Sequence, residues 1–392
     1  MTSLEDPIPY GRQTISEADI EAVKAVLASD WLTQGPAIER FERGVADYCG
    51  AKYAVAACNA TAMLHLACRA LDLGPGDLLW TTPNTFVASA NCGLYTGAEV
   101  DFVDIDPRTY NMSVEKLQQK LERASSQGRL PKVVVPVDFS GQSAEIAEIA
   151  RLGKQYGFRI IEDASHAVGG NYRNRKIGAC TYSDITVFSF HPVKIITTGE
   201  GGMALTNDAG LHQKMALLRS HGITRDSRLM SNNVDEGGWY YEQVDLGFNY
   251  RMTDMQAALG FSQLGRIDEF VARRRRLAAR YSEALRSLAV TTPWQNDQGA
   301  SSWHLYVIQI DPARTTRTRR EVFDYLRGAG VLVNVHYIPV HLQPYYRRMG
   351  FGPGDFPVAE AYYDGAISLP LYFGLSEEKQ DYVIRMLSEA LA

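Results

Sequence analysis

Between Ile20 and Ser29 the chain reads IEAVKAVLAS, with apolar positions three and four apart, and SEAD at 16–19 supplies a capping serine and early acidic residues. That spacing predicts a helix opened by Ser16. TQGPAIERFERGVADYCG at 33–50 repeats the scheme, with a Gly-Pro start and a glycine stop. Short apolar runs follow: KYAVAAC, DLLWT, EVDFVDI, KVVVPVDF and FRIIEDA. Helix-period stretches such as ATAMLHLACRALDL and AEIAEIARLGKQYG separate most of them. Strand and helix alternating in this way predict an α/β domain on a mainly parallel sheet. ITVFSFH and GGMALTND read as two further strands.

The texture changes after Met252. A long helical pattern, broken near Gly265, leads to strand-like HLYVIQI and VLVNVHYI around the helix RREVFDYLRGAG, and SEEKQDYVIRMLSEALA ends the chain as a helix. The expected organisation is a large domain over residues 1–255, then a linking helix and a smaller α+β domain over 256–392.

Composition narrows the function classes. The 392 residues carry 40 Lys and Arg against 45 Asp and Glu, a net charge of −5. Neither a nucleic-acid nor an anionic membrane partner is expected from that balance. Arg273–Arg276 is a local basic run within a polar helical pattern, read as a solvated or interface helix face. No apolar stretch is long enough to span a bilayer, and the first residues lack a signal-peptide pattern. Five dispersed cysteines without a C-x-x-C pair point to free thiols and a cytoplasmic setting. The eight histidines form no metal-ligand pattern, so no metal is expected.

Four stretches carry candidate chemistry. In CNATAMLHLA a helix starts near Thr61, where free amides and a hydroxyl can bind an anion; a plain helix cap is the competing reading. In TTPNTFVASAN, Phe86 sits where a strand gives way to a helix, placed either to stack on a planar ligand or to fill the core. In FRIIEDASHAVGG, Asp163 emerges at a strand end, suited to a protonated pyridine nitrogen or to capping the next turn, with Glu162 on the other strand face. In SFHPVKIITTGEGG, Lys194 lies in a loop between two strands, where a lysine can form a Schiff base and carry protons. That segment is neither a P-loop, since Lys194 precedes the glycines, nor a dinucleotide fingerprint. Its glycines fit a tight turn. In chain order the four features are what a phosphorylated pyridine aldehyde requires.

These motifs, with LTQGP, VDFSG, LRSHG, LGFNYRMTDMQAALG, VHYIPVHLQPYY and AISLPLYFGLS, resemble the DegT/DnrJ/EryC1/StrS sugar-nucleotide aminotransferase family along nearly the whole chain. The resemblance implies a PLP-dependent transferase of the aspartate-aminotransferase type (fold type I). Lys194 is then the Schiff-base lysine, Asp163 the partner of the pyridine nitrogen, and Phe86 the stacking ring. Thr61, Ala62 and Ser189 would hold the phosphate of pyridoxal 5'-phosphate, with pyridoxamine 5'-phosphate as the intermediate form. Asn249 would reach the cofactor of a partner subunit, which implies a homodimer with shared sites. His166 would lie near the ring hydroxyl, its tautomer open, and His221, Arg251, His336, Tyr337 and His341 are implied substrate contacts. The motifs are most similar to family members of pseudaminic acid biosynthesis. The implied partners are therefore a UDP-linked 4-keto-6-deoxy-N-acetylhexosamine and L-glutamate. Another 4- or 3-aminotransferase, of bacillosamine, perosamine or antibiotic-sugar type, is the alternative.

Overall fold

The computed structural model describes residues 6–231 and 237–392. Its centre is a seven-stranded sheet in the order Tyr53–Ala57, Gly202–Thr206, Ile185–Ser189, Arg159–Asp163, Val133–Val135, Leu78–Thr81, Glu99–Phe102. Gly202–Thr206 runs antiparallel to both its neighbours, and the remaining pairs are parallel. Each strand sends alternate residues to opposite faces, so the continuous apolar runs fill two cores at once. Val55, Ala57, Val133, Val135, Ile161 and Val187 pack on one side with residues of the helices Ala60–Ala70 and Ala88–Tyr95. Ala54, Ala56, Phe188, Met203 and Leu205 pack on the other with Pro36–Cys49 and Asp254–Leu264.

Local signals act as the sequence suggests. Ser16 caps the helix Glu17–Leu27 in a reciprocal capping box with Asp19. Gly35 and Pro36 open Pro36–Cys49, which Gly50 closes in the left-handed conformation (φ 78°). The helical break near Gly265 separates Asp254–Leu264 from Ile267–Ala284.

A second, antiparallel sheet of three strands, Val290–Thr291, Tyr306–Ile310 and Ala366–Leu369, supports another core with the helices Arg319–Gly328 and Glu377–Leu391. Ile8 is buried in that core, and Ile8–Pro9 pairs in parallel with Val331–Leu332. VLVNVHYI is therefore strand only at its first two residues. Asn334 still bridges Ser368, and the segment beyond it turns toward the large sheet.

The arginine run departs from expectation. Arg274 is fully buried and donates from one Nη to the carbonyls of Trp303, His304 and Leu371. Arg273 donates to Leu375 O, and Arg275 to Ser301 O and Ala300 O. Four consecutive helical residues sweep a full turn, so the run cannot form one solvated face, and only Arg276 projects outward.

Candidate active site

The carboxyl ends of the parallel strands converge on a cavity of about 640 Å³. Its lining includes Thr61, Phe86, Asp163, His166, Ser189, Lys194, His336 and Tyr337, which the sequence singled out from five separate stretches. A ligand at this place lies where open α/β sheets bind them.

Lys194 is carried on the 190–201 loop, closed at its base by the Phe190 N–H to Gly201 O bond (2.9 Å). Ile195 and Ile196 are buried beside it and anchor the loop in the core. Burial lowers the lysine to about 8, and the nearby Asp163 charge only partly opposes this. A neutral, nucleophilic amine is therefore accessible near neutral pH. Asp163 stands at the end of its strand, 5% exposed. Its Oδ2 accepts from Ser89 Oγ at 2.6 Å; its Oδ1 accepts from the Ser165 hydroxyl and N–H at 2.5 and 3.1 Å. Glu162 points to the other face, where Thr186 and Ser183 donate to it.

Asn59 caps the helix Ala60–Ala70, and its Oδ1 accepts from the Ala62 N–H at 2.8 Å. That corrects the phosphate assignment of Ala62, whose amide is already used and which does not line the cavity. Ala60 and Thr61 at the helix start do line it, as does Ser189. Gly202 explains part of the glycine cluster: a Cβ there would meet Ala60 N and the Asn59 carbonyl carbon at 2.5 Å. Gly199, at φ 80°, makes the preceding turn. The glycines shape the approach of strand to helix. Phe86 is 58% exposed in this chain although large and apolar, which favours a ligand-facing ring over a core one.

Three imidazoles stand together here. His166 and His304 have ring centroids 4.4 Å apart, and His336 shares a hydrogen bond of 2.8 Å with Ser368 Oγ. Burial first, and then the Lys194 charge, hold His336 down at about 3; the same two causes keep His166 well below the usual range. His304 was not anticipated; it lies two residues before the start of the strand Tyr306–Ile310, and its Nδ1 is buried with no partner among the described residues. Ser89, Tyr10 and Asn334 were also not foreseen. Only tertiary packing brings Ser89 to Asp163, and Tyr10 and Asn334 to the cavity.

Other expected contacts lie elsewhere. His341 is fully buried, with Nε2 2.9 Å from Glu360 Oε1 and its ring against Phe356, so it is a core residue and not a substrate contact. His221, Asn249 and Arg251 do not line this cavity; Ser220 and Asn249 form an isolated bridge. Nearby Trp239 and Leu246 are exposed. No cluster of metal-binding side chains occurs among the described residues.

The donor set fits pyridoxal phosphate: a lysine amine of lowered basicity and the helix-start amides of Ala60 and Thr61, none with a hydrogen-bond partner among the described residues, a buried carboxylate held from both oxygens, and an exposed ring. A mainly parallel sheet carrying that lysine at its carboxyl ends defines the class, a PLP-dependent transferase of the aspartate-aminotransferase type. The chain belongs to the DegT/DnrJ/EryC1/StrS aminotransferase family, which matches residues 13–388. It is 40% identical to the spore coat polysaccharide biosynthesis protein SpsC of Bacillus subtilis, covering 97% of this chain and 96% of that protein. It is 37% identical to the UDP-4-amino-4,6-dideoxy-N-acetyl-beta-L-altrosamine transaminase of Campylobacter jejuni (serotype O:23/36), covering 93% of this chain and 92% of that one. Helicobacter pylori PseC, an aminotransferase of pseudoaminic acid biosynthesis, superposes with a TM-score of 0.89 at 31% identity, covering 98% and 99% of the two chains. Spr1654 of Streptococcus pneumoniae in its PLP-form gives 0.87 at 29% identity, with 98% of each chain covered. The activity is accordingly that of a sugar-nucleotide aminotransferase, and dependence on pyridoxal phosphate is implied by the family and by that PLP-form.

Proposed function

We propose that this chain transfers the amino group of L-glutamate to UDP-2-acetamido-2,6-dideoxy-beta-L-arabino-hex-4-ulose. The products are UDP-4-amino-4,6-dideoxy-N-acetyl-beta-L-altrosamine and 2-oxoglutarate. One observation carries the chemistry: the Lys194 amine, without a hydrogen-bond partner among the described residues, shares a cavity with Asp163, whose two oxygens are fixed by Ser89 and Ser165. The name of the Campylobacter jejuni relative supports the sugar.

Bound here, pyridoxal phosphate supplies an aldehyde that accepts the amino group and a ring that stores an electron pair. Lys194 would hold it covalently; Asp163 would keep a proton on its ring nitrogen. The Ala60 and Thr61 amides, with the Thr61 and Ser189 hydroxyls, would bind its phosphate. Phe86 would cover one face of the ring. Lys194 Nζ, its basicity lowered to about 8 by burial, would take the Cα proton of glutamate in one half-reaction and deliver a proton to C4 of the sugar in the other. The same amine serves both half-reactions.

The second subunit enters through Asn249, Trp239 and Leu246, exposed on one stretch outside the cavity of their own chain. Exposed apolar side chains grouped in this way suit a subunit interface. The five cysteines, all free, suit a cytoplasmic setting.

The test is a product assay with UDP-4-keto sugars of both C5 configurations, the new amine assigned by NMR. Turnover of the beta-L-arabino substrate to the altrosamine product is expected. Preference for the C5 epimer, or for another nucleotide, would favour a different sugar-nucleotide 4- or 3-aminotransferase. The 37% identity to the GDP-perosamine synthase of Caulobacter vibrioides, equal to that of the transaminase, is what favours that second reading.

A further inference from the structure

The 138–142 turn packs tightly beneath the cavity. Ser140 adopts φ 59° and ψ 4°, and Gly141 follows at φ 97°. A Cβ on Gly141 would meet Ser302 Oγ at 2.5 Å, Trp303 N at 2.9 Å and His166 O at 3.0 Å. Ser140 O accepts from His304 N at 2.9 Å. Held from both sides, the turn presents the Ser140 N–H to His166 Nδ1 at 3.3 Å. The other ring nitrogen, Nε2, lies 3.1 Å from the Tyr337 hydroxyl oxygen, with the two rings nearly parallel (21°).

A backbone N–H can only donate. His166 Nδ1 must therefore be the bare nitrogen, and the proton of the neutral ring sits on Nε2. An imidazolium, or a ring protonated at Nδ1, would set two donors against each other. Nε2–H then donates to Tyr337, whose own O–H cannot donate back. No other acceptor for that proton occurs among the described residues, and Tyr337 lines the cavity.

We infer that Tyr337 is a hydrogen-bond donor to an oxygen of the cofactor or of its amino-acid adduct, and that His166 is a positioning residue acting through it. The Ser140 N–H sets the direction of the whole chain of bonds. The inference rests on the proposed reaction for the identity of the ligand, but not for the tautomer.

The first measurement needs no ligand. Cofactor-free protein carrying ¹⁵N-histidine is examined by long-range ¹H–¹⁵N correlation, with His166 assigned by the signals lost in His166→Gln. A neutral ring protonated at Nε2 is expected, and it persists in Tyr337→Phe because Ser140 fixes it. A ring protonated at Nδ1, or an imidazolium, overturns the inference.

The second measurement has two arms on Tyr337→Phe: titration with pyridoxal phosphate, and the spectral change on adding L-glutamate. Loss of one hydrogen bond to a ligand oxygen weakens the affected arm about tenfold or more. Loss in the first arm assigns the oxygen to the cofactor; loss confined to the second assigns it to the amino acid. Wild-type behaviour in both overturns the donor role. His166→Gln, whose amide also carries one acceptor and one donor end, should retain cofactor affinity within about threefold, whereas His166→Leu loses about tenfold. Equal loss in both variants overturns the positioning role. Failure of wild-type protein to bind pyridoxal phosphate would instead refute the proposed function and leave the tautomer readout standing.

Discussion

Ser89 donates from Oγ to Oδ2 of Asp163 at 2.6 Å, a bond between residues 74 positions apart. It fixes the carboxylate oxygen that Ser165 leaves free and turns a strand-end acid into an oriented one. Hydrogen bonds to a charged group contribute about 1.5–3 kcal/mol, so Ser89→Ala is expected to weaken pyridoxal phosphate binding about 10- to 100-fold. Fluorescence titration of the cofactor-free protein measures this, and unchanged affinity would show that Ser165 alone suffices.

Replacing Lys194 with alanine is expected to abolish turnover, and near-normal turnover by that variant would sink its assignment. The lysine also leaves a mark on stability. Its folded value of about 8 lies below the unfolded value near 10.4. Between those values the unfolded chain binds the extra proton, so stability rises with pH across that window. Below it, the folded protein carries a charged amine in a site that disfavours charge. Lys194→Met in the cofactor-free protein should therefore stabilise more at about pH 7 than at about pH 10.5. Denaturant unfolding of both proteins at the two values isolates the effect; a pH-independent difference would contradict it.

Gly202→Ala drives a methyl group into backbone atoms of Asn59 and Ala60 at 2.5 Å. Overpacking of this kind costs about 1–3 kcal/mol. The strain falls on the helix start, so cofactor affinity should fall together with thermal stability. Loss of stability without loss of affinity would remove that helix start from the phosphate site.

Asn249 lies outside its own chain's cavity. If it completes the partner's site, Lys194→Ala and Asn249→Ala proteins are each inactive, and mixing them after subunit exchange restores activity. Random pairing makes half the dimers mixed, each with one intact site, so recovery of about a quarter of wild-type activity is expected. No recovery once exchange is verified by mass would exclude a shared site.

Much of the site was legible because its chemistry is local. Lys194 lies in a short loop between two strands, and Asp163 at the end of a buried one, and both positions follow from apolar patterning. Thr61 follows from a helix start. His341 misled because HYIPVH carries no periodicity to say which of its polar residues turns inward. In the fold His341 is paired with Glu360, nineteen residues on. Ala62 misled because a cap side chain can take the very amide that an anion would use.

By itself the sequence indicated most of the elements and their order, the caps at Ser16 and Gly50, and the lysine and aspartate proposed to carry the chemistry. Periodicity reports which face of a strand is buried, and capping reports where a helix begins; both are properties of a few neighbouring residues. The tertiary structure alone decided which strands lie side by side. It thereby brought Ser89 to Asp163, His304 to His166, and Ser140 and Tyr337 to opposite edges of one imidazole. Those contacts join residues 26 to 171 positions apart. They exist because packing the helices, the second sheet and the connecting turns against the carboxyl ends of the large sheet selects one arrangement, which no local pattern encodes.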